Sequence, residues 1–274
     1  MKNVATLVSC IRLNARVALA ATMLLLLGAC STLVQVPVTA PRVTLADAER
    51  GYARVLQRHV NDRGEVDFAA LRDDVGDGGM SALDAYVLAI AATPLNSAPG
   101  ADARLAHMIN AYNALSMYNV IRSGIPASHD GLAKVTFFVL RKFEIGGSTL
   151  SLYAFENDII RKLNEPRVHF ALNCSAVSCP QLPRVPFTAD NLNAELDREA
   201  RNFFARPENL RIDDAQHTVF FNAILQFYTE DFTPAHSPNL IAYAQRYTTK
   251  TIPPDYAVAF TRYDWTIANS ARVR

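Results

Sequence analysis

The sequence predicts an α+β fold in which a buried central helix packs on a mainly antiparallel sheet built from hairpins. Three observations carry this. Residues 105–122 are apolar almost all round, which marks a helix enclosed on every side. Two stretches, 135–152 and 210–221, each hold two β-forming runs around a turn. No regular alternation of strand and helix runs along the chain, so a doubly wound parallel sheet is not indicated.

The elements follow in order. Residues 45–60 place Leu45, Ala48, Tyr52, Val55 and Leu56 on one helical face. Residues 61–67, rich in Asn, Asp and Gly, turn the chain before the apolar segment 68–71. Gly76, Gly78 and Gly79 interrupt it, Ser81 is placed to cap a helix reaching Ala92, and 94–100 reads as a loop. Helix 105–122 is stopped by Gly124 and Pro126. Asn110 and Asn113, three apart, share nearly one face of it, and two buried amides must find hydrogen bonds. Residues 135–145 are rich in β-formers, Gly146-Gly147 supplies a hairpin turn and 148–152 the return strand. Residues 153–163 predict a helix with Glu156 inside it, and 167–173 alternate as a strand. Thr188 caps a helix to Phe204, Leu210–Asp213 and Thr218–Phe221 form a second hairpin, and short helices cover 223–227 and 239–247. A last strand is predicted at 262–266.

The first thirty residues have the layout of a secretory signal. Lys2, Arg12 and Arg16 make a basic start with no acidic residue before Asp47, and an apolar run at 17–27 leads to Gly28-Ala29-Cys30. That run is shorter than the roughly 20 residues a transmembrane helix needs. Leu27-Gly28-Ala29-Cys30 resembles the bacterial lipobox. The resemblance implies a diacylglycerol on the Cys30 sulfur, palmitate-type acylation of the new N-terminus and attachment to a membrane. Several acyl chains, at about 0.8 kcal/mol per buried CH₂, hold such a protein stably. Ser31 rather than an aspartate follows the cysteine, which favours the outer membrane facing the periplasm. The plan is then a signal peptide at 1–29, a tether at 30–44, one globular domain at 45–269 and a tail at 270–274.

Of 27 basic residues the signal removes three, leaving 24 against 26 acidic ones, with no basic tract. The electrostatic footprint of a nucleic-acid binder is missing. The expected partners are the membrane, through the lipid on Cys30, and an unidentified periplasmic ligand or protein. Nothing in the sequence indicates a cofactor.

Five segments, 107–117 (HMINAYNALSM), 150–161 (LSLYAFENDIIR), 167–182 (RVHFALNCSAVSCPQL), 227–232 (FYTEDF) and 262–269 (RYDWTIAN), resemble in that order the domain-of-unknown-function 547 family. The resemblance runs from about Tyr52 to Asn269 and implies no established activity. Where that family often has an aromatic residue, this chain has His107-Met108. A fainter likeness, a buried helix ending in Gly-Ile-Pro followed by a histidine-bearing strand, is to the core of transglutaminase-like and papain-like cysteine enzymes. Those place a nucleophilic cysteine at the helix N-terminus, where this chain has Asn110 nearby and no cysteine.

Two readings of the segment 167–180 compete. An exported chain with two cysteines five apart predicts a Cys174–Cys179 disulfide, contributing roughly 2 kcal/mol by closing a short loop. The catalytic reading makes Cys174 a nucleophile, His169 its base and Asn110 an orienting or oxyanion group, as in a cysteine hydrolase or acyltransferase. A carboxylate from Glu156, Asp231 or Asp264 is the alternative orienting group. Asn113, Asn173, Glu156 and Arg167 are the candidate binding residues, with Glu156 and Arg167 expected as a buried ion pair. If a pocket exists, Asn110, Asn113, His169 and Asn173 should line it together. A metal site is not predicted, because no paired ligand motif accompanies the two cysteines.

Overall fold

A computed structural model describes residues 31–273. The predicted signal peptide and the predicted lipidation at Cys30 lie outside the described residues. No helix among the described residues is long and apolar enough to cross a membrane.

Helix α1, Leu45–His59, is capped by Thr44, whose side chain accepts from the Asp47 amide. Its buried face, including Tyr52, Val55 and Leu56, packs on α3, Met80–Ala92, where Tyr52 stacks on Tyr86 at 4.6 Å. The short α2, Phe68–Asp73, lies between them in the chain, capped by Asp67. Helix α3 starts at Gly79 without any side-chain cap, so Ser81 does not hold the role expected of it.

Helix α4, Ala101–Arg122, is the axis of the fold, and every residue from Leu105 to Ile121 is buried. It ends in a Schellman motif: Ile125 N donates to the Val120 carbonyl and Gly124 N to the Ile121 carbonyl. Gly124, at φ 78°, supplies the left-handed residue that this motif needs.

The fold is α+β, with two small three-stranded sheets rather than one mainly antiparallel sheet. In the first, β2 (Arg141–Ile145) and β3 (Ser148–Ser151) form the hairpin predicted around Gly146-Gly147, both at positive φ. Its tip closes α3, because Gly146 N and Gly147 N donate to the Ile90 and Ala91 carbonyls. Strand β1, Thr32–Leu33, pairs parallel with β2, and Val34 is buried. The segment expected as a free tether therefore docks at its start. In the second sheet, β4 (Leu210–Asp213) and β5 (Thr218–Phe221) make the second predicted hairpin, and β6 (Ala257–Phe260) adds parallel to β5. The last strand thus lies before the predicted 262–266, which forms only an isolated bridge through Thr266.

Three segments depart from the predicted type. Residues 132–140 are not strand: α5, Leu132–Val135, runs into a π turn at Thr136–Leu140. The helix predicted at 153–163 is α6, Leu152–Ala154, then a second π turn at Phe155–Ile160 and a 3₁₀ turn at Arg161–Leu163. Residues 167–173 are not a strand either. Pro166 starts a 3₁₀ helix, Pro166–Phe170, and Glu165 caps it by accepting from Arg167 N. The ladder partners that a strand would need are taken by a side chain: Asn113 donates to the Ala171 carbonyl and accepts from Asn173 N.

Two hydrophobic cores result. The first surrounds α4; the second gathers Phe170, Phe203, Phe204, Phe221, Phe232 and Tyr243 under the second sheet. Helix α7, Leu192–Ala205, supplies Phe203 and Phe204; it begins four residues after Thr188, which instead ties Asn191 into the entry turn. Short helices α8 (Ile224–Phe227), α9 (Thr229–Phe232) and α10 (Leu240–Ala244) connect β5 to β6. The segment 168–179 is the seam: Val168 and Leu172 belong to the first core, Phe170, Cys174 and Cys179 to the second.

Candidate functional site

Helix α4 presents two kinds of polar group to its surroundings. Asn110, Asn113 and Asn119, three or six apart, each grip backbone. Asn110 donates to the Phe187 carbonyl at 2.7 Å and accepts from Phe187 N at 3.0 Å. Asn113 does the same for the 171–173 segment, and Asn119 donates to the Phe137 carbonyl. Asn173 continues the chain of ties, donating to the Pro180 carbonyl and accepting from Ser175 N. These amides satisfy buried backbone that has no sheet partner. The structure does not bring Asn110, Asn113, His169 and Asn173 into one pocket. Among them only His169 lines the pocket described next.

That pocket, about 320 Å³, opens at the seam between the two cores. Its buried wall includes Tyr112, Glu156, His169, Leu172, Ile224 and Tyr263. Its rim carries four exposed apolar side chains, Val135, Val139, Tyr153 and Phe227, and Trp265 with Lys134 laid over its ring at 4.1 Å. Both π turns reach it, one through Phe138 and Val139, the other through Glu156 and Asn157.

Glu156 is buried, and among the described residues its hydrogen-bond support is phenolic. The Tyr112 hydroxyl donates to Oε2 at 2.9 Å, and Tyr228 hydrogen-bonds the same carboxylate. Glu156 makes no ion pair among the described residues, and the expected pair with Arg167 does not form. Arg167 is held by Glu165 and Asp197 instead. Burial, and then the Glu156 charge, push the Tyr112, Tyr228 and Tyr263 hydroxyls above the ordinary phenol range, so they stay protonated as donors.

His169 stacks on Tyr228 at 4.0 Å, and its Nε2 lies 2.7 Å from Asp231 Oδ2. Arg161 clamps the same carboxylate through Nε at 2.6 Å and Nη2 at 2.8 Å. Burial works to raise Asp231, but the His169 and Arg161 hydrogen bonds outweigh it and hold the carboxyl well below the usual range. An ionised Asp231 only accepts, so Nε2 of His169 carries a proton. The cluster closes on itself, because the π turn that presents Glu156 leads directly into Arg161.

Cys174 and Cys179 form a disulfide with sulfurs 2.07 Å apart, in the pocket wall against the Tyr263 hydroxyl. The Cys174/His169/Asn110 arrangement is therefore not assembled: the sulfur is bonded, His169 is turned to Asp231, and Asn110 is spent on Phe187. Asp264 orders its own turn, accepting from Thr266 N. Asn173 borders a separate cleft beside Gln181 and Arg206. Among the described residues, no group of three or more His, Cys, Asp or Glu side chains is placed to hold a metal ion.

Sequence reasoning weighed Glu156 and Asp231 but passed over Tyr112, Arg161, Tyr228, Tyr263 and Trp265. Tyr112, Tyr228, Tyr263 and Trp265 stand in the AYN, FYTEDF and RYDW runs, and Arg161 ends the LSLYAFENDIIR run, so a signal was present for each.

Residues 96–204 match the family model described as "Protein of unknown function, DUF547". The match takes in three of the five resembling segments and carries Tyr112, Glu156, His169 and both pocket cysteines; Tyr228, Asp231, Tyr263 and Trp265 lie beyond it. No curated protein and no solved structure matches the chain.

Proposed function

We propose that this chain is a binding protein for a small, largely apolar ligand, held at the cell envelope by lipid on Cys30. One observation supports the binding reading most. Two π turns, Thr136–Leu140 and Phe155–Ile160, flank the same seam pocket and aim side chains into it. A π turn is rare inside helices and concentrates at functional sites, since it re-aims residues at a cost in regularity. The pocket has the size and the apolar lining, with a few converging polar groups, of a small-molecule site. The envelope reading rests on the basic-apolar-lipobox order of residues 2–30 and is consistent with a disulfide, which persists in oxidising compartments.

Trp265 is the single tryptophan of the chain and stands at the pocket rim, so its emission reports entry. Titrating the full chain with 4-bromobenzyl alcohol, whose bromine quenches indole, should give saturable quenching. Ile224→Phe, which fills the wall, should reduce it to the linear response of collisional quenching. Linear quenching of the unsubstituted chain would remove the binding reading. For the anchor, a palmitate analogue should label the chain in cells and fail to label Cys30→Ala; equal labelling of both would remove that part.

A further inference from the structure

We infer that the seam pocket selects an organic ammonium ion: a positively charged nitrogen carried on an apolar body. This rests on the pocket being a ligand site and adds what that site discriminates.

The first observation is a charge without a partner. Glu156 lines the pocket with 7% of its surface exposed and makes no ion pair among the described residues. Its supporting groups, the Tyr112 and Tyr228 hydroxyls, are neutral donors, which stabilise a carboxylate without cancelling its charge. A buried carboxylate is destabilised by the loss of its hydration unless a cation accompanies it. The nearby guanidinium is not available for this, because Arg161 is committed to Asp231 and Glu230. His169 is turned to Asp231 as well.

The second observation concerns the walls. Tyr263, Phe227 and Trp265 line the same pocket as the carboxylate, and aromatic faces attract cations through the ring quadrupole; the Tyr228 ring already has His169 stacked on it at 4.0 Å and the Arg161 guanidinium 5.0 Å from its centre. The molecule already uses this: the Lys134 ammonium lies over Trp265 at 4.1 Å, at the rim. A site that holds its own ammonium on the outer ring, and a bare carboxylate deeper in, has the charge pattern for an ammonium guest. An anionic guest would meet Glu156 at close range in a desolvated wall.

The test uses three probes of nearly equal bulk on the full chain, read by Trp265 emission: phenyltrimethylammonium, its neutral isostere tert-butylbenzene, and benzoate. Phenyltrimethylammonium should bind about tenfold or more tighter than tert-butylbenzene, and benzoate weakest. In Glu156→Gln the preference within the cation–neutral pair should shrink to about twofold. Equal affinities for the pair, or tighter binding of benzoate, would overturn the ammonium inference and leave the pocket reading standing. Absence of saturable binding by all three would remove both. The probe series on the unsubstituted chain decides the point even if the variant folds poorly.

Discussion

Helix α4 carries two tyrosines that end on buried carboxylates, and the two pairs differ in one respect. Tyr118 donates to Asp84 at 2.9 Å, and Arg122, one turn on, completes the pair by donating to both. Tyr112 donates to Glu156 at the same distance, and no cation among the described residues joins it. The Tyr118 site is a closed joint between α3 and α4. The Tyr112 site faces a pocket. A buried carboxylate that has its cation explains itself as structure, whereas one supported by phenols alone keeps its charge unbalanced. The asparagines of this helix belong with the closed joint: Asn110, Asn113 and Asn119 each hold backbone, and Asn119 Oδ1 also accepts from Arg141 Nε.

The largest effect should come from breaking a closed joint. Asn113 satisfies two buried backbone groups at once, and Ala would leave the Ala171 carbonyl and Asn173 N without partners. At about 1–3 kcal/mol for each orphaned group, Asn113→Ala should cost roughly 4 kcal/mol in urea unfolding. A cost below about 1 kcal/mol would show that water or a backbone shift replaces the amide, and that the contrast between the two sides of α4 is overdrawn.

Next in size is an effect of pH alone. His129 is buried against Phe137, with its Nε2 3.1 Å from the Cys174 carbonyl, and burial pushes the ring down to about 4. Its folded value lies below the 6.5 of the free side chain, so the unfolded chain binds the proton first. Stability is fully present above pH 6.5 and is lost as pH falls towards 4. The loss from this group should be about 3 kcal/mol between pH 7 and pH 4. His129→Gln should flatten that part of the profile, and an unchanged slope would assign the acid sensitivity elsewhere.

Much of the scaffold was legible because it depends on local pattern. The apolar periodicity of 105–121, the glycine pair at 146–147 and the hairpin at 210–221 act over a few residues and appear where expected. The disulfide was legible from the spacing of Cys174 and Cys179 together with an expected export of the chain. Residues 136–140 (TFFVL) were not, because a π turn and a strand favour the same bulky side chains, and the choice is made by Asn119 taking the Phe137 carbonyl. The alternation at 167–173 misled for a similar reason, since Pro166 and Asn113 override it. The site itself joins residues 44 to 62 apart, Tyr112 with Glu156 and His169 with Asp231, and no local pattern encodes such pairs. A polar residue marks that something is satisfied; only the fold tells what.

A sharper test of the two tyrosine–carboxylate pairs is to alter the charge balance of each. Arg122→Met leaves Asp84 buried with a phenol alone and should cost about 2 kcal/mol, less than a fully buried break because the Arg122 side chain is 31% exposed.

Glu156→Gln runs the other way. The amide keeps the shape of the side chain and an acceptor for Tyr112, while the uncompensated charge disappears. The two phenolic hydrogen bonds it weakens are worth about 1 kcal/mol each, and the desolvation it relieves is of similar or greater size. The unliganded chain should therefore be unchanged or stabilised, within about 1 kcal/mol, in urea unfolding at pH 7. A charge whose removal leaves the empty fold no weaker is not there to hold the fold. If Glu156→Gln instead costs about 2 kcal/mol or more, the Tyr112 pair is as structural as the Tyr118 pair, and the buried carboxylate no longer argues for a guest.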